Sequence, residues 1–306
     1  PLAVRSHLEN KLDSYLNRKG AWPPAELGQK LYELPSNNHI IVVLASPVAE
    51  VGRDHDYDWA IIEPSSMRSI IQIAGRVLRH RNKQPSSNNI LLINQNIKQL
   101  KGKAPCFVKP GFEAQDLKLE KHQLNEVLLD EQYSDISAKP RVIKSNLDWQ
   151  HNLVALEHHA LQRRLFDNPD AAKLWWREQV HWCGVLQKRQ PFRKSLKDEA
   201  LYLVATDGGL KWQWKNENVS PPKMGEISAS GFDITNEGRP SLADRVSFLF
   251  DLDPETIYAT LAKDLKISCE TEVSQRFGEM RLASYDKKDV IEFRYCYELG
   301  IYQDAE

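Results

Sequence analysis

Three short runs of apolar residues alternate with helical patterns in the N-terminal third of the chain, and this alternation most constrains the fold. The runs cover 40–45, 58–62 and 89–94. They are continuous and rich in β-branched side chains, which is typical of strands buried on both faces of a sheet. Apolar residues at helical spacing predict helices over 2–18, 25–34 and 66–81. Strands that alternate with helices predict an α/β fold with a mostly parallel sheet.

The pattern changes near Pro105 and again after Pro191. Residues 105–145 are irregular apart from one helical piece, and two longer helices are predicted beyond them. The helical predictions are 117–129, 147–166 and 170–187. In the last third, apolar runs flank Asp207 and Gly208, a strong signal for a β-hairpin. One further helix is predicted over 242–265.

These patterns predict three segments along the chain. They are a truncated parallel-sheet segment (1–104), a linker with a helical connector (105–190) and an α+β C-terminal accessory domain (191–306). The chain starts at Pro1 without an initiator methionine. We therefore expect it to be a fragment of a longer chain, or a chain that has lost its first residues.

Composition excludes several classes of protein. Apolar residues make up 41% and charged residues 27% of the 306 positions, which is ordinary for a globular protein and excludes a wholly disordered chain. No run reaches the ~20 apolar residues of a membrane helix. The four cysteines are scattered without a CxxC pair, so neither a zinc site nor a disulfide framework is expected. A cytoplasmic protein without membrane contacts fits best.

Charge is segregated along the chain although the net charge is only −1. Residues 64–112 contain no acidic side chain and nine basic ones. Residues 225–306 contain 17 acidic and 9 basic side chains, so 9 − 17 gives −8. Such segregation predicts one face that meets phosphates and another that does not. The alternative is a solvated surface with chance clustering.

The segment 45–81 contains the candidate chemistry. Gln72, Arg76 and Arg79 are four and three residues apart, so a continuous helix would project all three from one side. Gly75 removes a side chain beside them and would allow close approach to the backbone. Two guanidinium groups and an amide suit a triphosphate, because arginine is always charged and binds phosphate oxygens in pairs. The alternative is a surface helix with solvated arginines.

A second cluster follows the first predicted strand. Ser46 comes directly after this strand, and Gly52 and Asp54 lie in the loop beyond it. Ligands of parallel α/β sheets bind beyond the carboxyl ends of strands. We therefore expect these residues to meet the arginine helix at one edge of the sheet.

The two clusters resemble motifs of a known family. The segment 46–54 looks like motif V of superfamily 2 helicases, and QIAGRVLR at 72–79 looks like their motif VI, QxxGRxxR. The wider sequence VAEVGRDHDYDWAIIEPSSMRSIIQIAGRVLRHR resembles the CRISPR-associated helicase–nuclease of type I systems, most closely the I-F branch. The motif-level resemblance covers about residues 40–100. It implies that the first segment is a partial second RecA-like helicase lobe.

The resemblance also implies roles for individual residues. Arg76 and Arg79 would act as arginine fingers on ATP, and Gln72 would orient the phosphate or the attacking water. Gly52, Asp54 and Gly75 would contact or sense the nucleotide. The DNA backbone would be contacted by Ser46, Arg81 and Lys83.

For the whole protein, the resemblance implies 3′-to-5′ translocation on single-stranded DNA with DNA degradation, powered by ATP and magnesium. The implied partners are the RNA-guided CRISPR surveillance complex and proteins of the adaptation machinery. The chain has no GxxxxGK[ST] phosphate loop. The chain alone is therefore expected to be inactive, and we expect neither ATP nor magnesium to bind it tightly.

Two alternatives stay open: a non-catalytic module that docks on DNA or protein, and the motor lobe of a restriction-type translocase. The pair His55-Asp56 matches the letters of an HD nuclease, but it lies inside motif V without partner histidines. No metal site is predicted there or at the helical histidines His158 and His159, because a motif needs its structural context.

Overall fold

The chain divides into two units in the computed structural model. The structure describes residues 1–50, 53–143, 146–168, 171–173, 184–185, 188, 197–283 and 290–303. The first unit is Asp13–Arg193, and the second combines Pro1–Leu12 with Lys194–Glu306. This division differs from the three predicted segments, because the predicted parallel-sheet segment and the predicted connector share one hydrophobic core within the first unit.

A βαβ arrangement organises the first unit. Strand β1 (Ala60–Ile62), helix α3 (Met67–Ala74) and strand β2 (Ile90–Leu92) follow one another. The two strands pair in parallel, with Ile61 opposite Leu91. Parallel strands need a crossover connection, and α3 lies within it. The predicted mixed α/β character and the parallel pairing of these two strands are confirmed.

The prediction that the apolar runs are buried on both faces is wrong for the described residues. No strand forms over 40–45, where Ile40, Val42 and Leu44 are exposed. In β1, Ile62 is buried in the core but Ile61 is 57% exposed. The physical reason is that the described part of the unit covers one face of the sheet only. A β-branched run forms a strand only where a neighbouring strand accepts its backbone hydrogen bonds.

Helix α3 ends at Ala74, although the apolar periodicity predicts a helix that continues to residue 81. Gly75 caps its C-terminus, and the backbone then leaves the helical path. The Tyr57 amide donates to the Arg76 carbonyl, and the Leu78 amide donates to the Tyr57 carbonyl, each at 2.9 Å. These bonds to a distant segment replace the helical ones, so the second half of motif VI is a turn.

The remaining helices that the structure describes in the first unit are short. They are α2 (Ala25–Tyr32), α4 (Ile97–Leu100), α5 (Leu124–Val127), α6 (Asp130–Tyr133), α7 (Lys139–Val142) and α8 (Leu153–Gln162). Helix α1 (Leu2–Tyr15) precedes them, and its residues are divided between the two units. A π-helical turn, Arg163–Asp167, follows α8. Most of the helix predicted over 170–187 lies outside the described residues.

Buried polar groups organise the irregular segment after Lys103. The Glu113 carboxylate accepts hydrogen bonds from the backbone amides of Cys106, Phe107 and Leu119, at 2.7 to 2.9 Å, and lies 3.0 Å from His122 Nε2. Its side chain is fully buried. Backbone amides without helical or strand partners need another acceptor when they are buried. The Glu113 carboxylate is the acceptor for three such amides.

The described part of the second unit contains two sheets. One has the order β5-β4-β3-β7, with every pairing antiparallel, and the other has the order β6-β8-β9 with β6 and β8 parallel. The strands are β3 (Asp198–Thr206), β4 (Gly209–Asn216), β5 (Lys223–Glu226), β6 (Phe232–Asn236), β7 (Glu279–Ala283), β8 (Ile291–Cys296) and β9 (Gly300–Tyr302). Helices α9 (Pro254–Leu265) and α10 (Glu270–Phe277) lie between β6 and β7 in the chain. The predicted hairpin is confirmed as β3 and β4.

No helix in the described part of the chain is long and apolar enough to cross a membrane.

Candidate functional site

Helix α3 positions the first part of motif VI. The Ser66 side chain accepts a hydrogen bond from the Ser69 amide at 3.1 Å and caps the helix. Met67 and Ile70 are fully buried and fix the apolar side of the helix in the core. Gln72 projects a buried Oε1 atom that accepts no hydrogen bond from a described residue. An amide oxygen of this kind can accept from a water molecule, which suits the predicted orienting role.

The two candidate arginine fingers have different surroundings. Arg76 is only 8% exposed, and its Nη2 donates to the Glu50 carbonyl at 3.2 Å. Burial lowers the pKa of Arg76, and the nearby charge of Arg79 lowers this pKa further. The Arg79 side chain is 42% exposed and places Nε 2.8 Å from Asp54 Oδ1. The pair therefore combines one fixed cation with one that is accessible.

The expectation that both arginines project from one face of a helix is wrong. They lie on the turn after α3, and Leu78 between them has a left-handed backbone with φ of 52°. A bulky non-glycine residue such as leucine adopts this conformation only at a cost in free energy. Because the turn is bonded to Tyr57, tertiary contacts and not helical periodicity bring the two guanidinium groups together.

Asp54 lies at the centre of the exposed charges. Its carboxylate contacts Lys19 Nζ at 2.5 Å, Arg79 Nε at 2.8 Å and His80 Nε2 at 3.1 Å. The Lys19 ammonium and the nearby His80 ring hold the pKa of Asp54 far below its ordinary value. This carboxylate stays ionised and holds Arg79. The predicted partner Gly52 lies outside the described residues, and Gly75, at the end of α3, is exposed.

The predicted DNA contact at Arg81 conflicts with the geometry. Its guanidinium donates to both oxygens of Asp56, at 2.7 and 3.0 Å, and to Asp58 at 2.6 Å. The side chain is 20% exposed. Two carboxylates saturate the charge and the donors that a phosphate would need. Arg81 therefore belongs to the internal charge network of the first unit, and its contact with DNA stays a prediction.

The other two predicted DNA contacts have accessible positions. Lys83 is exposed in the segment after the motif VI turn. Ser46 is exposed, and its carbonyl accepts a hydrogen bond from the Ala49 amide at 3.1 Å, at the start of a 3-10 turn, Pro47–Glu50. Both side chains can reach a ligand in solvent, and their roles stay predictions.

The structural role of Asp56 is not predicted by the sequence patterns. The residue is fully buried, and its carboxylate accepts hydrogen bonds from the backbone amides of Arg79 and His80 as well as from Arg81. Burial opposes its ionisation, but the bonds from Arg81 and from the His80 amide outweigh it and lower the pKa of Asp56. The signal in the sequence is the alternation of aspartates at 54, 56 and 58, facing a run of basic residues at 79–81.

The histidines that raised the question of a metal are engaged elsewhere. His55 lies between Tyr57 and Asp13, with Nδ1 2.9 Å from the tyrosine hydroxyl and Nε2 2.7 Å from the carboxylate. His159 stacks on Trp149 with ring centroids 5.1 Å apart. Among the described residues, no group of three or more histidine, cysteine, aspartate or glutamate side chains could hold a metal ion.

A buried carboxylate from α8 supports the start of α3. Glu157 is 1% exposed and accepts a hydrogen bond from the Met67 amide at the first turn of α3. Burial raises the pKa of Glu157 from 4.5 to about 7. The position of α3 in the site therefore depends on a group that changes charge near neutral pH.

The raised pKa predicts a pH-dependent stability. Between pH 4.5 and about 7 the folded chain retains a proton on Glu157 that the unfolded chain has lost, so the contribution of Glu157 to stability falls as pH rises. Glu157→Gln carries no charge at any pH. We expect the free energy of unfolding of Glu157→Gln, taken relative to that of the wild type, to rise by on the order of 2–3 kcal/mol from pH 5 to pH 8. Thermal unfolding of both chains at the two pH values tests this, and a constant difference in Tm would contradict it.

Comparisons with known proteins identify the class. A family model described as CRISPR-associated nuclease/helicase Cas3, C-terminal, matches residues 1–82. This range includes both helicase-like motifs, 46–54 and 72–79. The chain is 42% identical over 299 residues to the CRISPR-associated nuclease/helicase Cas3 subtype I-F/YPEST of Pectobacterium atrosepticum, covering 92% of this chain and 27% of the relative. It is 43% identical over 215 residues to the protein of the same description from Pseudomonas aeruginosa, covering 67% of this chain and 20% of the relative.

The resemblance stated from the motifs is therefore confirmed: the chain is related to the C-terminal helicase portion of Cas3 of subtype I-F. It spans about a quarter of the length of the curated relatives that it matches.

Proposed function

We propose that this chain contributes the second RecA-like lobe of an ATP-dependent 3′-to-5′ translocase on single-stranded DNA, with the nuclease elsewhere in the whole protein. Its biological role would be CRISPR interference against foreign DNA in the cytoplasm. The observation that carries the proposal is the turn after α3, where an accessible Arg79 lies beside a buried Arg76. The relation to nuclease/helicases of the Cas3 family supports it.

The roles of the two arginines follow from their surroundings. Arg79 is held by an exposed carboxylate, Asp54, and this exposed ion pair is weak enough for the guanidinium to move to a stronger anion. Arg76 is fixed by burial and by the Glu50 carbonyl, so it can act as a stationary charge. Arginine fingers of this kind are worth ~10³–10⁵ in rate.

ATP and magnesium fit this donor set only in part. ATP, when bound, supplies the phosphoryl group that hydrolysis transfers. Gln72 offers a free acceptor for a water molecule, and the two arginines offer cationic donors for phosphate oxygens. The described residues contain no phosphate loop and no magnesium-binding carboxylate cluster. We infer that the phosphates and the metal are held mainly by another part of the whole protein.

A compact group of lysines supports contact with DNA. Lys98, Lys101 and Lys103 are exposed, and the Lys103 amide donates to the Lys98 carbonyl at 2.9 Å, which brings the ends of this turn together. They lie within the acid-free stretch 64–112. Exposed lysines of this kind neutralise phosphates and release counterions. We propose that these lysines contact the backbone of single-stranded DNA, as do the exposed Lys83 and Ser46.

Partners of the whole protein follow from the relatives. Proteins named Cas3 are CRISPR-associated, so we propose the RNA-guided surveillance complex as the partner that brings the motor to DNA. Proteins of the adaptation machinery are proposed as further partners. The acidic C-terminal region, with a charge of −8 over 225–306, suits docking on proteins better than contact with DNA.

The proposal predicts different activities for the whole protein and for this chain alone. The whole protein should hydrolyse ATP with stimulation by single-stranded DNA. Residues 1–306 alone should show no turnover, because a lone arginine-bearing lobe cannot hold the phosphates and magnesium. The measurement is ATP hydrolysis by both purified proteins with and without single-stranded DNA. Turnover by this chain alone would contradict the proposal that hydrolysis needs a second lobe. Absence of turnover by the whole protein would contradict the proposed ATPase and favour a docking module.

A further inference from the structure

The carboxylate of Asp56 holds the backbone that presents Arg79. Oδ1 accepts from the Arg79 amide at 3.1 Å, and Oδ2 accepts from the His80 amide at 3.1 Å. Arg81 binds the same two oxygens through Nη2 and Nε, at 2.7 and 3.0 Å. The carboxylate therefore makes four hydrogen bonds, two of them to consecutive backbone amides. Charge-assisted bonds of this kind are about twice as strong as neutral ones.

The same aspartate is itself fixed to a separate element. Its backbone amide donates to the Leu16 carbonyl at 3.0 Å, just after the end of α1. The next residue, Tyr57, bonds to Arg76 and Leu78. Asp56 is 0% exposed, so water does not compete for these bonds. The segment 56–57 is thus held in place and fixes the turn 76–81 through hydrogen bonds.

The turn needs such a support because its backbone is strained. Leu78 has a φ of 52°, a left-handed conformation that a non-glycine residue adopts at a cost of ~1–3 kcal/mol. Residues in this state persist only where the surroundings overdetermine them. The Leu78 amide is bonded to Tyr57, and the next two amides are bonded to Asp56. Without these bonds the turn would relax toward other conformations.

We propose that Asp56 is a positioning residue that fixes the direction in which the turn 76–81 presents the Arg79 guanidinium to a phosphoryl group. This inference rests on the proposed function, because it takes Arg79 to be an arginine finger. Asp56 acts through the backbone of residues 79 and 80 and does not touch the nucleotide itself. Small errors in the position of a catalytic group can cost up to ~10²-fold in rate, so a support of this kind affects kcat more than KM.

Asp58 provides a matched control. It also accepts a hydrogen bond from Arg81, at 2.6 Å, and it bonds to Arg18 at 2.7 Å. Its side chain is 55% exposed, and neither of its side-chain oxygens accepts a hydrogen bond from the amides of residues 79 and 80. Asp58→Asn therefore removes one ion pair of Arg81 and the ion pair of Arg18, and it leaves the backbone contacts of the turn. If Arg81 pairing alone mattered, both substitutions would act alike.

The test compares Asp56→Asn, Asp58→Asn, Arg79→Ala and the double variant Asp56→Asn/Arg79→Ala in the whole protein. Asparagine keeps the size of the side chain and one acceptor oxygen, but it turns an NH₂ group toward donors. We expect Asp56→Asn to lower kcat for DNA-stimulated ATP hydrolysis ~10-fold with KM for ATP within about twofold. Asp58→Asn should leave kcat within about twofold. In the Arg79→Ala background, Asp56→Asn should cause no further loss, because residues that act as one unit are not additive.

Amide hydrogen exchange provides a readout that does not depend on activity. The amides of residues 79 and 80 should exchange ~10-fold faster or more in Asp56→Asn than in Asp58→Asn, because only the first substitution weakens their acceptor. Unchanged exchange, equal kcat for Asp56→Asn and Asp58→Asn, or a full multiplicative loss in the double variant would each overturn the inference. If Arg79→Ala alone retains normal kcat, the proposed function fails instead.

A second variant keeps the test decisive if Asp56→Asn does not fold. Arg81→Lys retains a positive charge beside Asp56 but loses the planar pair of donors that grips both oxygens. We expect it to lower kcat ~3-fold in the wild-type background and not at all in the Arg79→Ala background. An equal loss in both backgrounds, or no loss in either, would overturn the inference.

Discussion

Replacement of Arg79 by alanine in the whole protein should lower kcat for DNA-stimulated ATP hydrolysis by ~100-fold or more. The side chain is exposed and its described ion pair is with an exposed carboxylate, Asp54, so its loss should change the folded structure little. What is removed is a positive charge that is needed as the phosphoryl group departs. An interaction made mainly in the transition state lowers kcat and leaves substrate affinity nearly unchanged.

Arg163 supplies the control for Arg79. Its side chain is 37% exposed and pairs with the exposed Asp116 at 2.8 Å, so Arg163→Ala removes the same type of surface arginine from the same unit. We expect its kcat to match the wild type. Steady-state ATPase and DNA-binding assays on both variants provide the comparison, with thermal unfolding to verify the fold. A folded Arg79→Ala protein with the kcat of Arg163→Ala would show that motif VI has no arginine finger at this position.

Arg76 does not allow an equally clean test, because we expect its replacement to disturb the surrounding structure as well. The side chain is 8% exposed, and its Nη2 donates to the Glu50 carbonyl. An alanine here would leave a cavity beside a carbonyl that has lost its donor. A fall in kcat for Arg76→Ala would therefore combine lost chemistry with an altered structure.

Replacement of Glu113 by alanine should have the largest effect on stability. The buried carboxylate accepts hydrogen bonds from the amides of Cys106, Phe107 and Leu119. Each buried donor that loses its acceptor costs ~1–3 kcal/mol, so for three donors we expect a loss of roughly 3–9 kcal/mol in the free energy of unfolding. For a chain of this kind, such a loss is a large share of the total stability of ~5–15 kcal/mol. Urea-induced unfolding of the 306-residue chain measures it.

A second glutamate in the same segment gives the matched control. Glu126 pairs with Lys121 at 2.8 Å, with the lysine side chain 61% exposed. Glu126→Ala should change the free energy of unfolding by less than ~1 kcal/mol, because exposed ion pairs contribute little. If Glu113→Ala destabilises the chain no more than Glu126→Ala, Glu113 does not organise the segment. A loss of more than ~3 kcal/mol confined to Glu113→Ala confirms that it does.

Prediction succeeded where a signal depends on neighbours in sequence. The apolar runs that became β1 and β2, the helix between them and the hairpin of β3 and β4 are all encoded in local spacing and turn residues. The motif QxxGRxxR likewise identified the Cas3 relationship from contiguous residues. Local patterns of this kind need no knowledge of which segments meet in space.

Prediction failed where a distant segment decides the outcome. The periodicity that predicts a helix to residue 81 continues past Ala74, but Tyr57 and Asp56 bind the amides beyond it and hold them in a turn. The run 40–45 has the composition of a strand, and no strand forms there because the described residues supply no neighbour.

The charged residues also separate what the sequence determines from what the tertiary structure determines. The sequence by itself determined that a row of basic residues follows α3, and that aspartates at 54, 56 and 58 precede it. Only the tertiary structure decided that Arg81 is bound by Asp56 and Asp58 while Arg79 remains accessible beside Asp54. The reason is physical: an arginine can meet a carboxylate or a phosphate equally well, and its choice depends on which oxygens the fold places within about 3 Å.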